Sequence, residues 1–493
     1  MGGEEGLVSA GRTEENNTGY FARFGVDWEV ARRVLSEALG RGGDFADLYF
    51  QHREGQSLAL EDGEVNRAST SVDLGAGIRV VRGEQTGYAY TEELTPEALR
   101  QAARTAAAIA SGPATASAAA CQVVSHPEFY RMDKSLASVS IPAKREMLER
   151  MYTQGFEENP HVRKITAAFS GGAERVLMVD SDGRWSEDFR PLVMVACSCV
   201  AERDGRSETH GESRSFRAGM EALEPAMIQA LVKEVVKKTI RLFEAIQPPP
   251  GQMPVVLAAG SSGILLHEAI GHGMEADFNR KQVSIYTEKM NRTIAKPFVS
   301  IVDDATVPRF RGALNVDDEG VPGQKTMLVE NGVLRSYLHD RMSARHYGCA
   351  PTGNGRRQSF RYKPLPRMRC TYMLPGPDDP EEIVRSVERG LYAESFANGQ
   401  VQIGAGDFTF YVKSGYLIEG GKLSRPIKDA NIIGNGPEIL ERVERVGNDL
   451  VLDNGRWTCG KEGQSVPVTQ GLPTVKISYM TVGGARSSGG AHG

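Results

Sequence analysis

The residues best suited to chemistry stand in the run Leu265-Leu266-His267-Glu268-Ala269-Ile270-Gly271-His272, where two imidazoles bracket a carboxylate. In the H-E-x-x-H zinc signature the histidines lie four apart on one helix face, and the glutamate beside the first reaches a metal-activated water. Here the spacing is five, which sets the rings about 140° apart on an ideal helix, too far for one tetrahedral ion. The backbone must leave α geometry between them. Gly271 supplies the means: either a π-type turn, which brings positions i and i+5 nearer one face, or a helix end at the glycine swings His272 back toward His267. The plain alternative is two ordinary histidines on a partly buried helix.

A catalytic zinc takes three protein ligands and keeps a position open for water. Spacing does not choose the third. Glu275 and Asp277 lie just downstream, His339 and His346 farther on, and Cys459 sits in Trp457-Thr458-Cys459-Gly460-Lys461-Glu462-Gly463, a glycine-flanked segment that reads as a loop presenting a thiolate. The chemistry implied is hydrolysis, in which Glu268 takes the proton of a metal-polarised water and passes it to the leaving amine. A thiolate ligand donates more charge than an imidazole, leaves that water less acidic, and so asks more of Glu268. His339, in Tyr337-Leu338-His339-Asp340-Arg341, is a candidate donor to the developing oxyanion, against the commoner role of a structural hydrogen-bonding histidine. Arg356 and Arg357, in Gly353-Asn354-Gly355-Arg356-Arg357, are candidates to clamp a peptide carboxylate or backbone from a mobile glycine loop; the plainer reading makes at least one a solvated loop charge. Cys197 and Cys199 read as core residues, and Gly75-Ala76-Gly77 lacks the third glycine of a dinucleotide loop.

The elements that position these residues follow from pattern. The histidine run is preceded by an apolar strand over 255–258 and by Ser261-Ser262, a pair able to cap a helix start. Upstream, Val30, Val34, Leu35 and Ala38 mark a helix ending at Gly40, where a glycine can take the left-handed closing conformation, and Thr95-Pro96-Glu97 begins another. Strand patterns around 46–52, 56–60 and 77–81 are separated by Asp62-Gly63 and Arg82-Gly83 turns, and the small-residue stretch 111–120 reads as a linker. Next come a helix near 143–152, strands near 162–169, 175–179 and 192–202, and a long helix over 222–246. Gln247-Pro248-Pro249-Pro250-Gly251 is the clearest boundary. Beyond it, Asn331-Gly332 signals a hairpin, 381–391 a helix, and 408–412 and 416–418 alternating strands.

The fold class expected is therefore α+β, with an N-terminal α/β domain (25–115), a middle α/β domain (121–247) and a C-terminal, mainly antiparallel β domain (252–482) that carries the metal helix. Residues 1–24 and 483–493 are expected as disordered tails. At 493 residues the chain has enough interior to fold without disulfides or structural metal. Its net charge of −5 and the lack of a basic run interleaved with aromatics argue against nucleic acid as a partner. Six scattered cysteines without a C-x-x-C pair fit the reducing cytoplasm, and no apolar stretch approaches the roughly 18 residues of a membrane span.

Four long segments, HEAIGHGMEADF, YLHDRMSARHYG, PTGNGRRQSFRYKPLPRMRCTYMLPG and WTCGKEGQSVPVTQGLPTVKISYM, resemble the TldD/TldE (PmbA) family, and specifically its metal-bearing TldD branch. The resemblance runs from about Gly25 to Val482 and is weakest in the middle region. It implies a zinc (Zn2+) metallopeptidase acting on unfolded or extended peptides, with His267, His272 and Cys459 as ligands and Glu268 as general base. It also implies a dimer enclosing the metal, with a TldE/PmbA-type paralogue or a second copy as partner. The competing function is a non-catalytic peptide-binding or shell subunit that holds an extended chain by strand addition.

Overall fold

The computed structural model of the chain describes residues 19–110 and 112–484, which divide into two compact units. The first gathers the described parts of Met1–His52, Leu74–Val124 and Arg175–Glu187; the second gathers Arg53–Asp73, Ser125–Glu174 and the described residues from Asp188 onward. The long strands Phe45–Glu61, Glu64–Arg82 and Val162–Asp180 contribute residues to both.

In the first unit, helix Trp28–Leu39 starts at Asp27, whose carboxylate accepts from the Val30 N–H. Ala31, Val34, Leu35, Ala38 and Leu39 form its buried stripe. Gly40 does not close it as expected: its φ is −59°, and its N–H donates to Glu37 O, so the last turn tightens and the left-handed residue is Gly42 at φ 88°. Helix Pro96–Ala107 begins as the sequence reads, with Thr95 Oγ1 accepting from Ala98 N and the proline in the first turn. Of the tail expected over 1–24, residues 1–18 lie outside the described residues. Tyr20–Phe24 is not tail but a 3-10 turn, because Phe21 is buried in the core with Leu35 and Phe50. At the other end 485–493 lie outside the described residues, while 483 and 484 complete strand Val475–Gly484.

The second unit opens with helices Ile141–Glu158 and Pro225–Arg241, whose Leu148, Val232 and Val235 share a core with Ile165, Phe169, Val193 and Val195. Cys197 and Cys199 are buried there, as core residues should be, and burial pushes the Cys197 thiol up to about 12. Val162–Asp180 and Arg184–Arg203 are single long strands where shorter ones were expected; Ser170-Gly171-Gly172 stays extended between aromatic and β-branched flanks. The helix expected at 381–391 shrinks to Pro380–Arg385, since 389 onward is drawn into strand Arg389–Val401.

That strand pairs in parallel with Gly251–Leu257, which is flanked on its other side by antiparallel Val475–Gly484. Asp407–Glu419 extends the sheet as one strand, not two. A second sheet runs in the order Val333–Leu334, Lys325–Glu330, Ile301–Asp304, Cys370–Met373, Thr469–Leu472, Val451–Asp453. Most pairings are antiparallel; Cys370–Met373 with Thr469–Leu472 is parallel. The Asn331-Gly332 hairpin forms as expected, both residues at positive φ (48° and 81°). The histidine run leaves the end of Gly251–Leu257 and lies against this second sheet: a Cβ on Gly263, at the helix start, would come 2.6 Å from Gly471 N. Among the described residues no helix is long and apolar enough to cross a membrane.

A buried ion pair fixes the second sheet. Arg369 Nε donates to Asp303 Oδ2 at 2.7 Å with both side chains inaccessible, and Asp303 also accepts from Arg369 N, Thr371 Oγ1 and Asn354 Nδ2. Removing one partner leaves a buried charge uncompensated. Asp303→Ala is therefore expected to lower the unfolding free energy of this unit by about 3–5 kcal/mol in urea titrations; a loss below about 1 kcal/mol is the outcome of a solvated pair and would contradict this description.

Candidate metal centre

Gly263–Leu266 is one short α turn, His267–Gly271 is a π turn, and His272–Met274 is a 3-10 turn. The His272 N–H donates to His267 O, the i to i+5 bond that defines the π turn. This is the first of the two departures from α geometry that the five-residue spacing demands. It brings the rings to a centroid separation of 5.1 Å, nearly perpendicular at 85°. Gly271 is needed for close packing as well: a Cβ there would overlap Met368 Sδ. Ser261 and Ser262 do not cap the helix. Their hydroxyls donate to Glu394 O and Ala393 O, which ties the helix start to the neighbouring strand.

Cys459 reaches this turn from a hairpin, not from a loop. Thr458–Lys461 pairs with Gln464–Pro467, and Glu462 and Gly463, both at positive φ (47° and 73°), make the two-residue turn. Alternation along the strand then puts Cys459 and Lys461 on the buried face and Thr458 and Gly460 on the other. The ligand atoms of His267, His272 and Cys459 lie within 4.8 Å of one another, all three residues buried, with Cys459 Sγ 3.5 Å from His272 Nε2.

The remaining candidates for the third ligand take other places. Glu275 backs His272, whose Nδ1 donates to Oε2 at 2.9 Å. Lys461 Nζ donates to Glu275 Oε2 at 3.1 Å and to Asp277 Oδ1 at 2.6 Å, so both carboxylates are held by an ammonium behind the cluster. His346 is exposed at the end of helix Arg341–Tyr347. His339 is buried against the Tyr337 and Tyr347 rings and outside the three-residue cluster; burial brings it down to about 4, against the pull of Asp340, so it is neutral at pH 7. Its segment runs beside the centre all the same, since Leu338 bridges to Glu275 and Ala276 N donates to Leu338 O. Glu268 is the member of the run with solvent access, its side chain 21% exposed and its Oε2 3.9 Å from His272 Nε2.

The electrostatics suit a metal. Burial alone would raise the Cys459 thiol, but the imidazoles of His267 and His272 outweigh it and hold it well below its ordinary value, as a thiolate. Burial would likewise lower His272, yet Glu275 and Cys459 hold it well above the usual imidazole range. Despite burial, Lys461 and His272 keep Glu275 at about 2. Since Glu275 is a carboxylate and only accepts, His272 carries its proton on Nδ1 and turns Nε2 toward Cys459. A metal held here would displace the Nε2 proton. His267 Nδ1 is buried with no hydrogen-bond partner among the described residues, an atom that this cluster leaves unsatisfied.

Arg356 and Arg357 are not solvated loop charges. Gly355–Arg356 pairs with Leu365–Pro366, and both arginines are buried. Arg356 donates to Met368 O and Pro467 O; Arg357 bonds Asp318 through its backbone N–H and its guanidinium. Two residues that pattern reading passed over complete the surroundings. Lys461 was legible, two places after Cys459, had the segment been read as a strand. Arg367, fully buried and donating to Cys459 O at 2.5 Å, had no sequence signal.

Three family models match the chain: PmbA/TldA metallopeptidase domain 1 over residues 46–110, the central domain over 134–243 and the C-terminal domain over 250–484. A curated relative from Haemophilus influenzae, named a metalloprotease TldD homolog, is 41% identical over 448 residues, 90% of this chain and 93% of its own. One from Saccharolobus solfataricus, named a zinc metalloprotease TldD homolog, is 34% identical over 258 residues, 52% of this chain and 57% of its own. The crystal structure of TldE from Thermococcus kodakarensis shares the fold, with a TM-score of 0.74 at 18% identity, covering 92% of this chain and 99% of that one.

Glu275 touches the cluster only through His272, so its effect is on orientation and basicity. Glu275→Gln is expected to weaken divalent-metal affinity by roughly 10–100-fold in chelator competition; unchanged affinity would mean that the Glu275–His272 contact does not tune the centre.

Proposed function

Since the chain belongs to the TldD/PmbA family of metallopeptidases, and is a protease, we propose that it cuts extended peptides with one zinc held by His267, His272 and Cys459. The observation that carries this reading is the convergence of two imidazoles and a thiolate, buried and within 4.8 Å, around the π turn. A thiolate and two imidazoles suit a borderline-soft ion, and a relative named a zinc metalloprotease supports zinc. When bound, zinc supplies Lewis acidity toward a carbonyl and its water.

The chain's own groups do the rest. Glu268, partly exposed beside the cluster, accepts the water proton and returns it to the departing amine. Glu275 fixes the His272 ring through Nδ1, and Lys461 fixes Glu275. His339, neutral and carried beside Glu275 by the Leu338 bridge, is proposed as the donor to the oxyanion. Arg356 and Arg357 are proposed as substrate-side cations. A partner of the TldE type or a second copy belongs to the same proposal, supported by the shared fold, as does the cytoplasm, whose reducing conditions keep a thiolate ligand intact.

Glu268→Gln preserves shape and removes the proton acceptor. It is expected to bind zinc with wild-type stoichiometry and to lose about 10²–10⁴-fold in kcat on an unstructured peptide. Near wild-type kcat would remove Glu268 from the mechanism; loss of zinc would make it structural.

A further inference from the structure

The hairpin that presents Cys459 has a second face. Thr458, Ser465 and Pro467 on that face line a cavity of ≈ 440 Å³ wholly within the second unit. Six guanidiniums line it, from Arg53, Arg190, Arg217, Arg311, Arg356 and Arg357, against two carboxylates, Glu174 and Asp318. Both carboxylates are already engaged: Arg190 pairs with each of them, and Arg357 bonds Asp318. Among the described residues Arg311 bonds only neutral partners, Trp457 O, Ser215 Oγ and Thr458 Oγ1, and Arg356 only backbone carbonyls. Arg217 is 5% exposed, and its Nε has no hydrogen-bond partner among the described residues.

These cations disfavour one another. Burial, reinforced by Arg217, Arg53 and Arg456, brings Arg311 down to about 10; burial brings Arg356 to about 9, where the opposing pull of Asp318 is met by Arg217, Arg367 and Arg190. Uncompensated like charges in a shielded cavity are costly, and the cost is relieved by an anion. Planar guanidiniums match a carboxylate in two-point contact.

We propose that this cavity is a carboxylate subsite, which holds an acidic side chain or the C-terminus of an extended peptide while the bond to be cut lies across the hairpin at the metal centre. The inference rests on the peptidase reading for the identity of the ligand. Because an extended chain advances about 3.3 Å per residue, the hairpin puts the carboxylate several residues from the scissile bond.

The test uses one fluorescent peptide in matched forms: C-terminal acid or amide, and a single Glu scanned along the sequence against Gln. Dissociation constants are measured by anisotropy on zinc-loaded Glu268→Gln protein, so binding is read without turnover, and kcat/KM is measured on the wild type. At one position, or at the C-terminus, loss of the carboxylate is expected to raise Kd about tenfold or more. Arg217→Gln is expected to collapse that ratio to near one and leave the fully neutral peptide's Kd unchanged. Arg311→Gln, read the same way, serves where Arg217→Gln fails to fold. Equal Kd for acidic and neutral forms at every position, or a ratio that survives both substitutions, overturns the subsite. Failure of the wild type to cleave any form, with the Kd ratio intact, overturns the peptidase reading and leaves the subsite standing.

Discussion

One backbone hydrogen bond, His272 N–H to His267 O, draws together two imidazoles that an ordinary helix would keep apart and so makes a candidate metal centre. A five-residue spacing on an α-helix points two imidazoles away from each other; closing the ring at i to i+5 turns them to a common side. Much of the local sequence follows from that one bond. Gly271 leaves room for Met368, Gly263 lets the helix start lie on the Thr469–Leu472 backbone, and Ser261 and Ser262 anchor it to Arg389–Val401.

Charge is arranged with similar economy. The hairpin Thr458–Lys461 sends both a thiolate and an ammonium to the same buried face, and each meets its complement: Cys459 the imidazoles, Lys461 the carboxylates of Glu275 and Asp277. Glu275 joins the two halves, since it accepts from Lys461 and from His272 Nδ1 at once. A buried carboxylate with two cationic partners stays ionised, and an imidazole held by it presents its second nitrogen without choice of tautomer. The outer face of the hairpin carries the opposite condition, guanidiniums in excess, which is why an anion belongs there.

How far this was readable in the sequence depended on range. His267, Glu268 and His272 stand out by type and spacing, and the spacing requires a departure from α geometry, for which a π turn is one of two routes. Capped helices such as Pro96–Ala107 and two-residue turns such as Asn331-Gly332 were equally plain, because their determinants lie within a few residues. Pairing between distant segments was not. The helix pattern over 381–391 takes in the start of Arg389–Val401, because that strand's parallel partner, Gly251–Leu257, lies far upstream in the chain. Flanking glycines give the Cys459 hairpin the pattern of a loop, although Lys461 at i+2 and the Glu462-Gly463 turn carry a strand signal. The burial of Arg356 and Arg357 has no local sign, since Asp318 and the carbonyls of Met368 and Pro467 that surround them lie elsewhere in the chain.

Everything proposed for catalysis depends on Cys459 and both histidines meeting at one ion. X-ray absorption at the zinc edge of the zinc-loaded protein reads that shell directly. One sulfur at about 2.3 Å with two imidazole nitrogens at about 2.0–2.1 Å is expected; a shell of nitrogen and oxygen with no sulfur would contradict ligation by Cys459.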